Sequence, residues 1–249
     1  MQPFLLPRIY CVIMIKKPVY LLTFILLLLI CAIRSYAITD LDSAGADREQ
    51  RNPVHLKSEL ETIRERVIAE LMIPKAEQSF IENLLGTIRD DGSWPDINYE
   101  DASSTGWEHR FHLERIGALS RAYKQPESGF FHHPDIKATI FSALQFWFGH
   151  NFKCENWYFN VIRTPREITR ILLLMDSDLT DALKEDALRL SLWADPSAVA
   201  HNIGGDVIKV AGINAKRALF LRNESLLKES IGTMSETIQI TTRQGIQPD

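Results

Sequence analysis

Residues 154–175 read CENWYFNVIRTPREITRILLLM and carry the strongest structural signal in this chain of 249 residues. Three aromatic residues, 157–159, lie between Asn156 and Asn160, and a helical pattern follows directly at Thr164–Met175. Flat rings can stack on the apolar faces of sugar rings, while amides bond hydroxyl groups. The same residues also suit ordinary core packing with polar caps. The stretch therefore predicts a helix whose entrance either binds sugar or packs into the core.

The chain from residue 53 onward shows helical periodicity throughout. Apolar side chains recur near i, i+4, i+7 spacing in the first segment, at Leu56, Leu60, Ile63, Val67 and Leu71. Long helices joined by short turns imply an antiparallel all-α fold. Longer, aromatic-rich loops alternate with the short turns, which favours an (α/α) toroid of antiparallel helical hairpins. The eight predicted helices are residues 53–72, 75–88, 108–124, 133–150, 164–175, 180–194, 206–221 and 223–240.

Several helix ends carry local signals. Pro74 is expected to end the first helix, and Gly92 marks a turn after the second. Pro134 suits the first position of the fourth helix. Thr180 is the expected N-cap of the sixth.

The N-terminal residues 1–37 have the layout of a secretory signal peptide. Two lysines precede the apolar run Val19–Ile33, and small residues follow it. Translation starting at Met14 would leave the same layout. The run is short for a membrane span, so we expect a secreted or periplasmic protein, with an uncleaved membrane anchor as the alternative. Residues 38–52 are polar and aperiodic, and they are predicted to form a flexible leader.

Composition and motifs exclude several functions. A formal net charge of -4 gives no basic footprint for nucleic acid. Cys154 is the single cysteine outside the predicted signal peptide, so no internal disulfide is expected. The sequence lacks the nucleophile elbow, the phosphate loop and the dinucleotide fingerprint. His109 and His112 lie one turn apart but match no zinc pattern, so no metal and no cofactor is predicted.

Two segments are candidates for ligand contact. The aromatic residues of the predicted loops form either a platform for sugar rings or part of the core; they are Trp94, Tyr99, Trp107, Trp157, Tyr158 and Phe159. Residues 202–209, NIGGDVIK, form a Gly-rich turn that leads into a helix, whose N-terminus can receive an anion such as a uronate carboxylate. The alternative for this second segment is a plain turn with Asp206 as the N-cap.

Four blocks in the same order resemble polysaccharide lyase family 8, which comprises the chondroitin, hyaluronate and xanthan lyases. NWYFNVIRTPREITRILLLM resembles the family's signature of an Asn, two aromatic residues and a later Leu-rich run. DDGSWPDINYED resembles its opening helices, and GGDVIKVAGINAKRALFLRNESLL resembles its Gly-rich segment before the next helix. GIQPD, residues 245–249, resembles the lead-in to its catalytic histidine. The resemblance covers roughly Trp94–Asp249.

The resemblance implies a helical toroid followed by β-sandwich domains, in secreted enzymes that cleave uronate-containing polysaccharides by β-elimination. In this chemistry a group neutralises the uronate carboxylate, a base removes the C5 proton and an acid protonates the leaving oxygen. Trp157 and Tyr158 match the family's aromatic patch, and Asn156 becomes a sugar-contacting amide. Asp206 matches the family's carboxylate-neutralising Asn. Because an ionised Asp would repel a uronate, Asn202 is the alternative for that role.

The family's catalytic His and Tyr follow the GIQPD block, and no residue of this chain matches them. The resemblance therefore implies an incomplete toroid, without the C-terminal catalytic and β-sandwich domains, that binds an acidic polysaccharide but has no lyase activity alone. Any calcium site of the family would also lie outside this chain. The alternative is a secreted, non-catalytic carbohydrate-binding helical module.

Overall fold

We describe the fold from a computed structural model, which covers residues 59–199 and 204–238. Within these two ranges the regular secondary structure is entirely helical. The elements are α1 (residues 59–71), α2 (Gln78–Thr87), α3 (Arg110–Lys124), α4 (Pro134–His150), a π-helix (Phe159–Arg163), α5 (Thr164–Met175), α6 (Asp181–Ser191), a 3₁₀-helix (Pro196–Ala198), α7 (Gly205–Leu221) and α8 (Glu224–Thr237).

The eight predicted helices are confirmed over this part of the chain. The predicted signal peptide, the leader, the start of the first helix and residues 239–249 lie outside the described residues. No described helix has both the length and the apolar character needed to cross a bilayer.

Side-chain caps set several of the helix boundaries. Thr180 caps α6 as predicted, because its hydroxyl accepts from the Leu183 N–H at 3.4 Å. Pro134 occupies the start of α4, also as predicted. The prediction for the end of the sixth helix was wrong by one turn. α6 stops at Ser191, and a turn leads to a short 3₁₀-helix that begins at Pro196.

Helices α3, α5 and α7 form one layer of parallel helices, which we call the parallel layer. α5 packs between α3 and α7, while α4, α6 and α8 each pack against the preceding member of the layer. Two ion pairs show that α3 and α5 run in the same direction. Glu114 of α3 pairs with Arg163 at the start of α5, and Lys124 at the end of α3 pairs with Asp178, just beyond α5. The N-termini of α3 and α5 therefore share one end.

The main hydrophobic core lies around α5. The apolar residues of this helix are all buried, and they are Ile168, Ile171, Leu172, Leu173, Leu174 and Met175. A second, smaller core joins the start of α5 to the start of α7 through Val161, Ile162, Val207 and Val210. This second core holds the N-terminus of α7 beside the π-helix, at the N-terminal end of the parallel layer.

Gly92 lies in the predicted turn after α2 and is required there for two reasons. Its φ of 88° is a backbone conformation that side chains other than Gly rarely adopt. A Cβ atom at this position would lie 2.4 Å from the backbone oxygen of Ser142 in α4. The turn therefore packs directly on the α4 backbone.

We expect Gly92→Ala to lower the free energy of unfolding by at least about 2 kcal/mol, because it adds backbone strain to a clash with immobile atoms. The matched control is Gly86→Ala in α2, where an added Cβ meets nothing within 4 Å. That control should be neutral or stabilising by up to about 1 kcal/mol. Urea unfolding measures both variants, and equal stabilities would contradict the packing described here.

Candidate functional site

The aromatic stretch forms the first turns of the helix that continues as α5. Residues 157–175 are helical without interruption, and Phe159–Arg163 is wound as a π-helix in which the Thr164 N–H bonds the Phe159 carbonyl. Pro165 explains the wide turn, because proline has no N–H and its ring collides with the carbonyl four residues earlier in a regular helix. The prediction that residues 157–159 lie in a loop was therefore wrong.

Five of the six rings of the predicted platform separate into two groups, and the sixth, Tyr99, is half-buried against the core. Trp94, Trp107 and Phe159 are in the core, with exposed fractions of 0%, 1% and 8%. Trp107 and Phe159 contact each other, with ring centroids 5.4 Å apart. Trp157 stays 36% exposed, and the half-buried Tyr158 meets it edge to face at 6.0 Å. Core packing is thus correct for three rings, while Trp157 and Tyr158 form the surface available to a ligand.

Two asparagines fix the entrance of this helix. The Asn156 amide oxygen accepts from the Tyr158 N–H at 3.0 Å, and its nitrogen donates to the Ser104 carbonyl at 2.9 Å. Asn160 accepts from the Cys154 N–H at 2.9 Å and donates to the Cys154 carbonyl at 2.6 Å. Asn160 therefore orders the turn that precedes the helix. Asn156 ties the 101–107 loop to the helix, and its contact with a sugar stays a prediction.

The Gly-rich turn places Asp206 and Lys209 beside the aromatic pair. Gly204, with a φ of 80°, is the N-cap of α7, so Asp206 lies inside the first turn. The prediction of Asp206 as the N-cap was wrong. Its carboxylate instead accepts from the Lys209 ammonium at 2.7 Å, and that nitrogen lies 5.2 Å from the centre of the Tyr158 ring. Asn202 falls outside the described residues.

A buried hydrogen-bond chain holds the loop that faces Asn156. The Trp94 N–H donates to the Tyr99 hydroxyl at 3.1 Å, and this hydroxyl meets His112 Nδ1 at 2.8 Å. His112 Nε2 donates to the Ala143 carbonyl at 2.9 Å, while His109 Nε2 donates to the Tyr99 carbonyl at 2.7 Å. Burial lowers the pKa of His112 to about 3. Both histidines therefore have structural partners.

A second charged cluster lies further along the parallel layer. Glu167 is buried, and its two carboxylate oxygens accept from Arg166 at 3.2 Å and from Arg170 at 2.9 Å. Burial lowers the pKa of Arg121 on α3 and of Lys216 on α7, and the charge of Arg170 acts in the same direction on both. One carboxylate thus lies among four cations, which makes its charge important to the fold.

The site therefore offers an exposed ring, a half-buried phenol and one ion pair. Lys209 was missed in the sequence analysis, although its position three residues after Asp206 is the spacing of a helical ion pair. Across residues 59–199 and 204–238, no group of three or more His, Cys, Asp or Glu side chains is arranged to hold a metal ion. The chemistry available at this end is recognition of a polar ligand with an apolar face.

A family of known proteins and several solved structures match most of this chain. The family model for the N-terminal α-helical domain of polysaccharide lyase family 8 matches residues 70–249. This chain belongs to polysaccharide lyase family 8. Chondroitinase-AC of Pedobacter heparinus is 27% identical to it over 194 residues, which are 76% of this chain and 27% of that enzyme. The family 8 chain thus spans about a quarter of the length of this curated relative.

Solved structures of family 8 lyases share the fold. A structure of chondroitinase AC lyase with oligosaccharides matches with a TM-score of 0.69 and 26% identity, over 75% of this chain and 28% of that one. Paenibacillus xanthan lyase matches with a TM-score of 0.63 and 16% identity, over 74% and 19%. Streptomyces coelicolor A3 chondroitin AC lyase, in complex with chondroitin sulphate, matches with a TM-score of 0.59 and 16% identity, over 72% of this chain and 25% of that one. The predicted all-α toroidal class is therefore confirmed.

The low pKa of His112 predicts that the protein loses stability as the pH falls. Between pH 6.5 and 3 the histidine binds a proton in the unfolded protein but not in the folded one. The contribution of His112 to the free energy of unfolding is therefore complete above pH 6.5 and shrinks as the pH falls below that value. From pH 7 to 5 we expect wild type to lose about 2 kcal/mol more unfolding free energy than His112→Gln. Denaturant titrations at both pH values measure this. The pKa of His109 is also lowered, but this is so in both proteins, and its effect cancels in the comparison. Equal losses of unfolding free energy in wild type and His112→Gln would contradict the low pKa assigned to His112.

Glu167→Gln keeps the size of the side chain and removes its charge. We expect the free energy of unfolding at pH 7 to fall by about 2–4 kcal/mol, because the cations around Glu167 lose the buried carboxylate between them. The exposed Glu185→Gln in α6 is the control, and it should change stability by no more than about 0.5 kcal/mol. Similar values for the two variants would show that the cluster is not stabilising.

Proposed function

We propose that this chain is the substrate-binding helical part of a secreted polysaccharide lyase that acts by β-elimination on uronate-containing, glycosaminoglycan-like polysaccharides. The observation that carries the proposal is the exposure of Trp157 beside Tyr158 at the N-terminal end of the parallel layer, while the other tryptophans of the predicted platform are buried. The part of the proposal that the protein is secreted is supported by the predicted signal peptide, residues 1–37.

The geometry around Trp157 suits one sugar ring of a chain. An exposed indole offers a flat apolar face, and Tyr158 meets it edge to face so that the two rings form an angled surface. The Asn156 amide lies directly before them, and it retains one N–H beyond the bond to Ser104. A sugar ring stacked on the indole would therefore meet a donor at its edge.

Catalysis by β-elimination needs a base and an acid close to the sugar. We place both outside this chain, on the segment that the longer relatives carry after their GIQPD-like block. Asp206 occupies the position that the family resemblance gives to the carboxylate-neutralising group, with Asn202 as the alternative. The chain alone is expected to bind polysaccharide without cleaving it.

The proposal predicts that Trp157→Ala weakens binding of chondroitin sulphate and hyaluronan about five- to thirtyfold, which corresponds to the loss of about 1–2 kcal/mol of stacking. Affinity electrophoresis in gels containing each polysaccharide measures the change. Phe131→Ala is the control. Phe131 is 46% exposed but follows the C-terminal end of α3, at the opposite end of the parallel layer.

Binding by Trp157→Ala that equals wild type would rule out the stacking surface. The lyase step is tested separately, by following the unsaturated uronate product in the absorbance of the same mixtures. Product formed by this chain alone would overturn the placement of the base and acid outside it.

A further inference from the structure

The Lys209 ammonium lies over the ring of Tyr158, one of the two rings of the aromatic pair. Its ammonium nitrogen is 2.7 Å from the Asp206 carboxylate and 5.2 Å from the centre of the Tyr158 ring, and its side chain is 48% exposed. The second core fixes both backbones, since Val207 and Val210 of α7 pack with residues Val161 and Ile162 and with Tyr158 itself. Lys209 thus reaches the space above Tyr158 from a rigid helix.

We propose that Lys209 receives the acidic group of the polysaccharide at this site, and that Asp206 is a positioning residue that holds the Lys209 ammonium over Tyr158. The inference rests on the proposed function and deepens it. It assigns recognition of the uronate charge to Lys209, a residue that neither the family resemblance nor the sequence pattern had singled out.

Electrostatics explains why the lysine is needed. An ionised carboxylate at residue 206 repels a uronate, whereas the ion pair with Lys209 is neutral overall and leaves donors for a second oxygen. An ammonium group has three N–H donors, and Asp206 Oδ1 takes one of them. A uronate stacked near Tyr158 can therefore accept from the same nitrogen, in a charge-assisted hydrogen bond.

Three arginines in the first turns of the helix that carries Tyr158 have acidic partners of their own. Arg163 pairs with Glu114 of α3, and Arg166 and Arg170 pair with the buried Glu167. Their charges are directed into the interface between α3 and α5. The hydrogen bond to Asp206 is the largest cause of a raised pKa of Lys209, with Tyr158 acting in the same direction. Lys209 therefore stays charged at neutral pH.

Hyaluronan oligosaccharides test the inference, because their carboxylates are their only charges, and carboxyl-reduced oligosaccharides of equal length are the matched neutral ligand. With the full 249-residue chain, calorimetric titration should show that Lys209→Gln binds hyaluronan about two- to fivefold more weakly, as expected for a half-exposed ionic contact. Binding of the neutral ligand should not change, and Lys209→Arg should restore hyaluronan binding. Asp206→Asn should also weaken binding of hyaluronan and leave binding of the neutral ligand unchanged, because the Lys209 ammonium is then no longer held over Tyr158.

Lys228→Gln is the control for loss of one positive charge, since Lys228 is 68% exposed on α8. It should leave both affinities unchanged. The inference is overturned if Lys209→Gln binds hyaluronan like wild type, or if its affinity for the charged and the neutral ligand falls equally. Trp157→Ala still tests the stacking surface in either case. Failure of wild type to bind either ligand overturns the proposed function together with the inference.

Discussion

The position of Pro165 within the central helix constrains everything at the N-terminal end of the parallel layer. Pro165 is the second residue of α5. It has no N–H, and its ring would collide with a carbonyl of the preceding turn in a regular α-helix. That turn is therefore wider, and the Thr164 N–H bonds the Phe159 carbonyl. The wider turn lets the helix start at the aromatic stretch. Phe159 then packs on the buried Trp107, while Trp157 remains outside. Phe159 within the wide turn therefore belongs to the core, whereas Trp157 before it lies on the surface.

Polar ties make this end rigid before any ligand arrives. Asn156 links the helix to the carbonyl of Ser104, and the neighbouring loop is anchored in turn by the buried bonds of Tyr99 and His112. The bond from His112 to the Ala143 carbonyl satisfies a buried backbone group that would otherwise have no partner. Ordering loops on binding costs free energy, so a loop that is already held increases affinity without adding a contact. The loop before α3 and the start of the aromatic helix are thus held together by side chains of the fold itself.

Periodicity and caps predicted the helices because these signals act within a few residues. Thr180 and Pro134 lie where their local chemistry places them. The fate of each ring could not be predicted in the same way, since it depends on contacts such as Trp107 with Phe159, which are far apart in sequence. The wrong N-cap has a similar origin. A carboxylate suits a cap, yet the N-cap is Gly204, whose φ is positive, so the helix begins two residues earlier than it would with Asp206 as the cap.

The ion pair between Asp206 and Lys209 contributes little to folding, which leaves it free for the role in binding that we propose. Side chains that are 35% and 48% exposed form a pair that contributes at most about 1 kcal/mol to stability. A neutral amide in place of Asp206 would fit the same first turn of α7, so the fold does not require this carboxylate. What the pair changes is the potential above Tyr158, where a lone Asp would repel an acidic sugar and a lone Lys would move freely on its flexible stem. Together they hold an ammonium group with free N–H donors over the half-buried Tyr158 ring, where the proposed uronate would accept a hydrogen bond from it.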